Sequence, residues 1–290
     1  VDVINLLKDA ERNDQIHPYA IIAPAFATQF EYANLGQIVK GIKMLGFKDV
    51  VEVALGADII SEHETTELID HLKNHNFMTS SCCPAFVKFI EKEHKEIEDN
   101  ISNSISPMIA TSKLIKSIDN KAVVVFIGPC IAKKAEKSRT NLDGITDYVL
   151  TFEELSAMID ARNIQLESLE EASLNNASYF GRMFASTGGL SKSILEVAEK
   201  KRINVEITPV VCDGIKECDK YLKMAKRNRL EGNFIEGMAC TGGCIKGPVT
   251  MHHGAKDIKK LENYSKLAIE KDIVESLRVF NIENINLNRK

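Results

Sequence analysis

Residues Lys121–Cys130 read KAVVVFIGPC, and this stretch decides the fold. Its apolar residues follow one another without alternation. A strand with one wet face alternates polar and apolar side chains, whereas one covered on both faces does not. The run therefore predicts a central strand of a parallel sheet, closed by Gly128 and Pro129, with Cys130 just beyond its carboxyl end. Working outward, "YAIIAP" (Tyr19–Pro24) and "DVVEVAL" (Asp49–Leu55) read as strands on either side of a helix over "GQIVKGIKML" (Gly36–Leu45), a β–α–β unit. The polar "SEHETTELIDHLKNH" that follows suits a helix. In the second half, "ITDYVLT" reads as a strand. Thr151 and Glu154 then form a capping box. "STGGLSKSILEVAEKK" opens a helix after paired glycines, and "INVEITPVV" gives another strand. This alternation predicts an α/β fold with parallel sheets. From about Lys256 onward the chain reads as charged and helical.

The 290 residues suffice for one large α/β domain or two lobes, and 44% hydrophobic with 27% charged residues is an ordinary globular composition. A net charge of −4 gives no electrostatic reason to expect nucleic acid or an anionic membrane surface. No apolar run approaches the roughly 20 residues that span a bilayer. The N-terminus has no signal-peptide pattern and lacks an initiator methionine, which points to a piece of a longer chain. There is no internal repeat and no low-complexity tract.

The seven cysteines are Cys82, Cys83, Cys130, Cys212, Cys218, Cys240 and Cys244. An odd count without a secretory signal argues for reduced thiols and a cytoplasmic setting rather than a disulfide framework. Cys82 and Cys83 are adjacent, a spacing that strains a disulfide and does not suit a simple metal clip. Pro84 follows them and is set to open a helix. Cys240 and Cys244 flank Thr-Gly-Gly, where glycine lets backbone crowd a bulky object. Ligands of α/β proteins collect at strand ends, so three remote cysteine loops are expected to converge on one pocket.

Taken together and in order, "SSCCPAF" (80–86), "GPCIAKKAE" (128–136) and "EGMACTGGC" (236–244) resemble the three motifs of the iron-only, or [FeFe], hydrogenases in their H-cluster domain. "AIIAPAFA", "GADIISEHETTEL", "FASTGGL" and "DGIKE" extend the resemblance over nearly the whole chain, residues 1–290. It implies two lobes, each a mainly parallel sheet flanked by helices, with the metal site between them; a lobe boundary is placed near 140–150. It also implies that Cys83, Cys130, Cys240 and Cys244 hold a [4Fe–4S] cubane. Four soft thiolates, one per iron, are what such a cubane needs. Cys244 would bridge to a diiron subsite carrying CO, cyanide and azadithiolate. Cys82 would face that subsite as the first proton carrier, since a thiol titrates near 8.5 unperturbed and can exchange protons near neutrality.

By the same resemblance the relay continues through Glu64, Ser102 and Glu67, the two glutamates lying three apart on one helix face. Lys133 would donate to a cyanide, Met238 would pack on the diiron site, and Pro24 and Ala25 would line its other side. The implied activity is reversible 2H⁺ + 2e⁻ ⇌ H₂. The implied partners are a ferredoxin-type electron carrier or an upstream iron–sulfur domain, and the maturation proteins that load the H-cluster. No Cys-x-x-Cys ferredoxin-like segment stands in this chain.

Four departures separate this sequence from efficient members of that family: Ala25 where they have serine, Gly128 where they have methionine, Phe86 where they have tryptophan, and Gly247-Pro248-Val249-Thr250 at the end of the third motif. These changes alter packing and polarity near the diiron subsite and leave the cubane thiols intact, the pattern of slow, hydrogen-sensing members. The alternative is a non-enzymatic iron–sulfur protein of cluster assembly or electron transfer sharing the fold. Cys212 and Cys218 match no motif and read as small buried hydrophobes. Lys134 reads as structural, and His252 and His253 have no third ligand nearby.

Overall fold

The computed structural model describes residues 1–289. Its elements in chain order are α1 (Asp2–Ala10), β1 (His17–Ile22), α2 (Leu35–Met44), β2 (Asp49–Glu52), α3 (Val53–His71), β3 (Met78–Thr79), α4 (Pro84–Glu93), α5 (Pro107–Ile118), β4 (Ala122–Gly128) and α6 (Ala132–Lys137). They continue with β5 (Tyr148–Thr151), α7 (Phe152–Ala161), α8 (Tyr179–Met183), α9 (Gly189–Lys200), β6 (Pro209–Asp213), α10 (Ile215–Lys226), β7 (Phe234–Met238), α11 (Asp257–Lys266) and α12 (Ile273–Leu277). The strands form two sheets, ordered β2-β1-β4-β5 and β3-β7-β6, and every pairing is parallel.

β4 lies inside the first sheet between β1 and β5. Val124 and Val125 are fully buried and Ile127 equally so, as an unalternating strand requires. Helices cover this sheet through one continuous core that includes Ile38, Ile42, Ile109 and Phe152. Thr151 caps α7 as predicted: its hydroxyl accepts from Glu154 N–H, and the Glu154 carboxylate accepts from Thr151 N–H.

Three expectations shift. "DVVEVAL" is a strand only to Glu52, because α3 begins at Val53. The run VALGADII is buried on all sides, a pattern that reads equally as strand or helix over so few residues. Packing against α5 settles it: a Cβ on Gly56 would lie 2.2 Å from the Pro107 carbonyl oxygen, so the glycine lets the two helices touch. "INVEITPVV" is a strand only from Pro209. The sheets also interleave along the chain instead of dividing near 140–150. β5 belongs to the first sheet, while β3, far upstream, pairs with β7 of the second.

A buried ion pair ties this scaffold together. Arg182 of α8 and Glu52 at the end of β2 are each about 1% exposed. Arg182 Nε donates to Glu52 Oε1 at 2.6 Å and Nη2 donates to Oε2 at 3.1 Å, a bidentate fork. Tyr264 of α11 also donates to Glu52, and its ring lies 4.4 Å from the guanidinium carbon. Removing one member leaves a buried charge with no counterion. Arg182→Ala is therefore expected to lower unfolding stability by about 3–5 kcal/mol. Arg182→Lys recovers only part of it, having no fork. Urea denaturation midpoints of the two variants check this.

Candidate metal and proton-transfer site

The cysteine loops all leave strand ends. Cys82 and Cys83 follow β3 at the start of α4, with Cys83 as N-cap and Pro84 as first helical residue. Cys130 follows β4 by two residues, and Cys240 follows β7 by two. Between Cys240 and Cys244 the chain turns back through Gly242 and Gly243, at φ of 87° and 81°. A Cβ on Gly243 would also meet Thr187 N at 2.6 Å, so only glycine fits.

These loops surround one cavity of about 210 Å³, walled by Cys82, Cys83, Cys130, Cys240 and Cys244 together with Lys133, Met238 and Pro24. That is far more than the roughly 10–15 Å³ a single water needs. Ala23 and Pro24 after β1, Val53 after β2 and Pro129 after β4 bring the first sheet to its wall; Met238 and Ala239 bring the second. The site thus lies where the carboxyl ends of both sheets meet. Ala25, expected to line the site with Pro24, is instead fully buried behind it and is not among the wall residues.

Electrostatics there oppose free thiolates. Burial pushes the Cys130 thiol up and Cys240 up to about 11, and nearby thiols add to the rise at Cys240. Burial does the same to Cys82 and Cys244, strongly. A bound cationic centre reverses this, because it supplies the countercharge that apolar walls withhold. Among the described residues no three His, Cys, Asp or Glu side chains close on a single metal ion. The thiols are instead spread around the walls, which fits a cluster taking one thiolate per iron and does not fit a mononuclear site.

Lys133 is the cation of the cavity. Its ammonium donates to Glu136 Oε2 at 2.6 Å and to the Cys82 carbonyl at 3.4 Å. Burial alone would depress its pKa, but the charge and hydrogen bond of Glu136 outweigh it and hold Lys133 protonated. Lys134 points away and pairs with Glu154 at 2.6 Å.

The predicted relay residues come together behind Cys82. Ser102 Oγ donates to Glu67 Oε2 at 2.8 Å, and the Ser104 hydroxyl donates to the same oxygen at 2.8 Å. Glu64 is fully buried, close enough to Cys82 for its charge to act on that thiol. It lies beside Ser102 and the Ser81 backbone, yet neither of its carboxylate oxygens has a partner in hydrogen-bond geometry. Burial, with the neighbouring Glu67 charge, raises its pKa to about 8. Glu64 is therefore a neutral acid at pH 7.

Cys212 and Cys218 stand apart from the cavity, in the core beneath β6 and α10, as read. Several wall residues escaped the sequence reading, Phe126, Phe184 and Met108 among them. Phe126 lines the cavity, and its ring occupies the space beside Gly128, where an added Cβ would lie 2.5 Å from Cζ. Residues two apart on a strand share a face, which was the available signal.

Comparison with known proteins agrees with this geometry. The family described as "Iron only hydrogenase large subunit, C-terminal domain" matches residues 16–248. Iron hydrogenase 1 of Clostridium pasteurianum is 30% identical over 287 residues, covering 84% of this chain and 50% of that protein. A cytosolic Fe–S cluster assembly factor of Meyerozyma guilliermondii is 28% identical over 182 residues, 55% of this chain and 34% of its own. The apo [FeFe]-hydrogenase of Chlamydomonas reinhardtii superposes with a TM-score of 0.77 at 17% identity, covering 97% of this chain and 94% of that one, which shows the shared fold. The chain belongs to this iron-only hydrogenase domain family, whose membership implies iron–sulfur binding. It spans about half the length of the first hydrogenase relatives it matches, 50% in each case. No helix among the described residues is long and apolar enough to cross a membrane.

Glu64 yields a pH prediction. Its folded pKa of about 8 exceeds the ordinary 4.5, so the folded state holds this proton more tightly than the unfolded one. The associated stability is complete below pH 4.5 and is lost as pH rises through about 8. Glu64→Gln cannot ionise. The variant is expected to gain on the parent by on the order of 4 kcal/mol between pH 5 and 8, read as a flatter curve of denaturation midpoint against pH.

Proposed function

We propose that this chain is the site-bearing domain of an iron-only hydrogenase-type oxidoreductase, interconverting H₂ with two protons and two electrons, at low turnover and in hydrogen sensing. The observation that carries the reading is the meeting of five thiols and the Lys133 ammonium in one apolar cavity. Cys83, Cys130, Cys240 and Cys244 would hold the [4Fe–4S] cubane, with Cys244 shared with the diiron subsite. When bound, that subsite, with its CO, cyanide and azadithiolate ligands, supplies the metal at which the H–H bond is made or broken.

The protein's part is positioning and proton handling. Lys133, held by Glu136, offers a charged donor to an anionic ligand such as cyanide. Met238 and Pro24 supply apolar wall, which excludes water and strengthens that donor. Burial keeps the Cys82 thiol protonated, so it can give a proton toward the cavity and take one from Glu64, itself a neutral acid. Ser102 and Glu67 extend the path outward through the 2.8 Å bond between them.

Low turnover follows from the departures. Ala25 offers no hydroxyl to a ligand, and Phe126 replaces a flexible thioether at Gly128 with a rigid ring. Electrons would come from a ferredoxin-type carrier or an attached iron–sulfur domain, and the diiron subsite from dedicated maturation proteins.

The test is to mature the protein with a synthetic diiron complex and record its infrared spectrum, expecting CO and cyanide stretching bands. An intact cubane with no bands rejects the hydrogenase reading in favour of a non-enzymatic iron–sulfur protein. Cys82→Ala is expected to keep its cubane iron while H₂ production falls about 100-fold or more. Cys83→Ala loses the cubane itself, read as iron content per chain.

A further inference from the structure

The hydrogen bonds that join Ser102 to Glu67 do not stop there. Glu67 Oε2 receives the Ser104 hydroxyl as well as that of Ser102, and Oε1 accepts from Asn103 N–H. Beyond Ser104 stands His63, whose Nδ1 lies 2.9 Å from Ser104 Oγ. A hydroxyl has one proton. Since Ser104 gives its proton to Glu67, its oxygen can only accept from the histidine, and His63 Nδ1 must be the protonated nitrogen. His63 Nε2 makes no hydrogen bond with the described residues, and because the ring is half-buried rather than sealed, water reaches it. One nitrogen is wired inward and the other is wet.

We propose that His63 loads protons from solvent into the relay, through Ser104 and onto Glu67. This rests on the hydrogenase reading above, and it adds a residue that none of the three cysteine motifs contains. A hydronium ion or buffer acid in the solvent gives a proton to Nε2, forming the imidazolium. The Nδ1 proton passes to Ser104 Oγ as the Ser104 hydroxyl proton passes to Glu67 Oε2. His63 ends neutral with its proton on Nε2, Ser104 still carries one hydrogen, and Glu67 is a neutral acid. One proton has entered at the ring and one has arrived at the carboxyl. Once Glu67 has passed its proton on toward Ser102, rotation of the Ser104 hydroxyl and proton exchange of the imidazole with water restore the starting state.

An imidazole suits this place because its ordinary pKa, near 6.5, lets it charge and discharge around neutrality. Burial lowers the pKa of His63, and the facing Glu67 carboxylate opposes that drop. The other charges around it are already engaged: Glu62 pairs with Lys201 of the α9 terminus, and Arg289 reaches toward Glu91 and Glu67 from the segment beside Asn103. His71, further along α3, also senses Glu67. It is wired differently. Its Nε2 lies 3.1 Å from the Phe77 carbonyl, its ring stacks on His75 at 4.1 Å, and it makes no hydrogen bond to Glu67.

Two measurements test the proposal. In the protein without its diiron subsite, an NMR titration follows the His63 ring in wild type and in Glu67→Gln. The midpoint is expected to fall by a few tenths of a pH unit or more when the carboxylate is lost; an unmoved midpoint overturns the link. In matured protein, His63→Gln is expected to slow H₂ production about tenfold or more at pH 7, with infrared bands unchanged, and added imidazole is expected to restore part of the rate. His71→Gln is expected to behave as wild type. If bands are present and Glu67→Gln is impaired while His63→Gln runs at full rate, His63 is not the loading residue and the hydrogenase reading survives. If wild type shows no bands, the hydrogenase reading falls and takes this proposal with it.

Discussion

The constraint on which the structure depends is the repulsion built into its cavity. Five sulfurs share an apolar enclosure in which each thiolate would raise the free energy of the next, and where burial alone pushes Cys82 and Cys244 far up. Such an arrangement makes sense only toward a ligand that supplies positive charge and takes several thiolates at once. An iron–sulfur cluster does both. Three thiol-bearing loops come off parallel strand ends, and Cys244 hangs from the third through a two-glycine turn, so the backbone fixes the directions from which the sulfurs approach before anything is bound.

Holding those ends in place takes more than the sheets. Glu52 terminates β2 beside the cavity's first-sheet wall, and the Arg182–Glu52–Tyr264 cluster joins that point to α8 and α11. Asp58, in the second turn of α3, accepts from Ser178 N–H and Oγ and from Ser276 Oγ, pulling α12 onto the same helix. Glu236 of β7 accepts from Gly188 and Ser191 N–H at the start of α9. Each of these carboxylates is buried, and each is engaged by backbone, hydroxyl or cation. Glu64 alone in this group lacks a partner, and it is the one beside Cys82. An acid left without hydrogen bonds in the interior favours its neutral form, so near neutrality Glu64 carries a proton that it can pass on.

Much of this was legible in the sequence, for identifiable reasons. Thiols next to glycine and proline at strand ends can be read because their chemistry is scarce, and the unbroken run Ala122–Ile127 can be read because parallel strands lose their alternation. β3 and β7 were not legible: β3 has two residues, and β7 is interrupted by Gly237, which is glycine because the Phe86 ring would lie 2.2 Å from a Cβ there. The glutamate spacing at 64 and 67 gave the shared helix face. It gave neither the isolation of Glu64 nor the link through Ser104 to His63, since both depend on a loop that returns 35–41 residues later beside a short segment near Leu287.

Ala25 and Gly128, two departures from the hydrogenase motifs, both stand at carboxyl ends of the first sheet. Ala25 is buried behind Pro24, and Gly128 gives its space to the Phe126 ring, which stands in the wall. Lys133 remains the charged donor aimed into the cavity, clamped by Glu136 and by the Cys82 carbonyl. As the cation among the described wall residues, Lys133 sets the field at that wall, in a low dielectric where its reach is longest. One clamped donor fixes the direction from which an anionic ligand would be held.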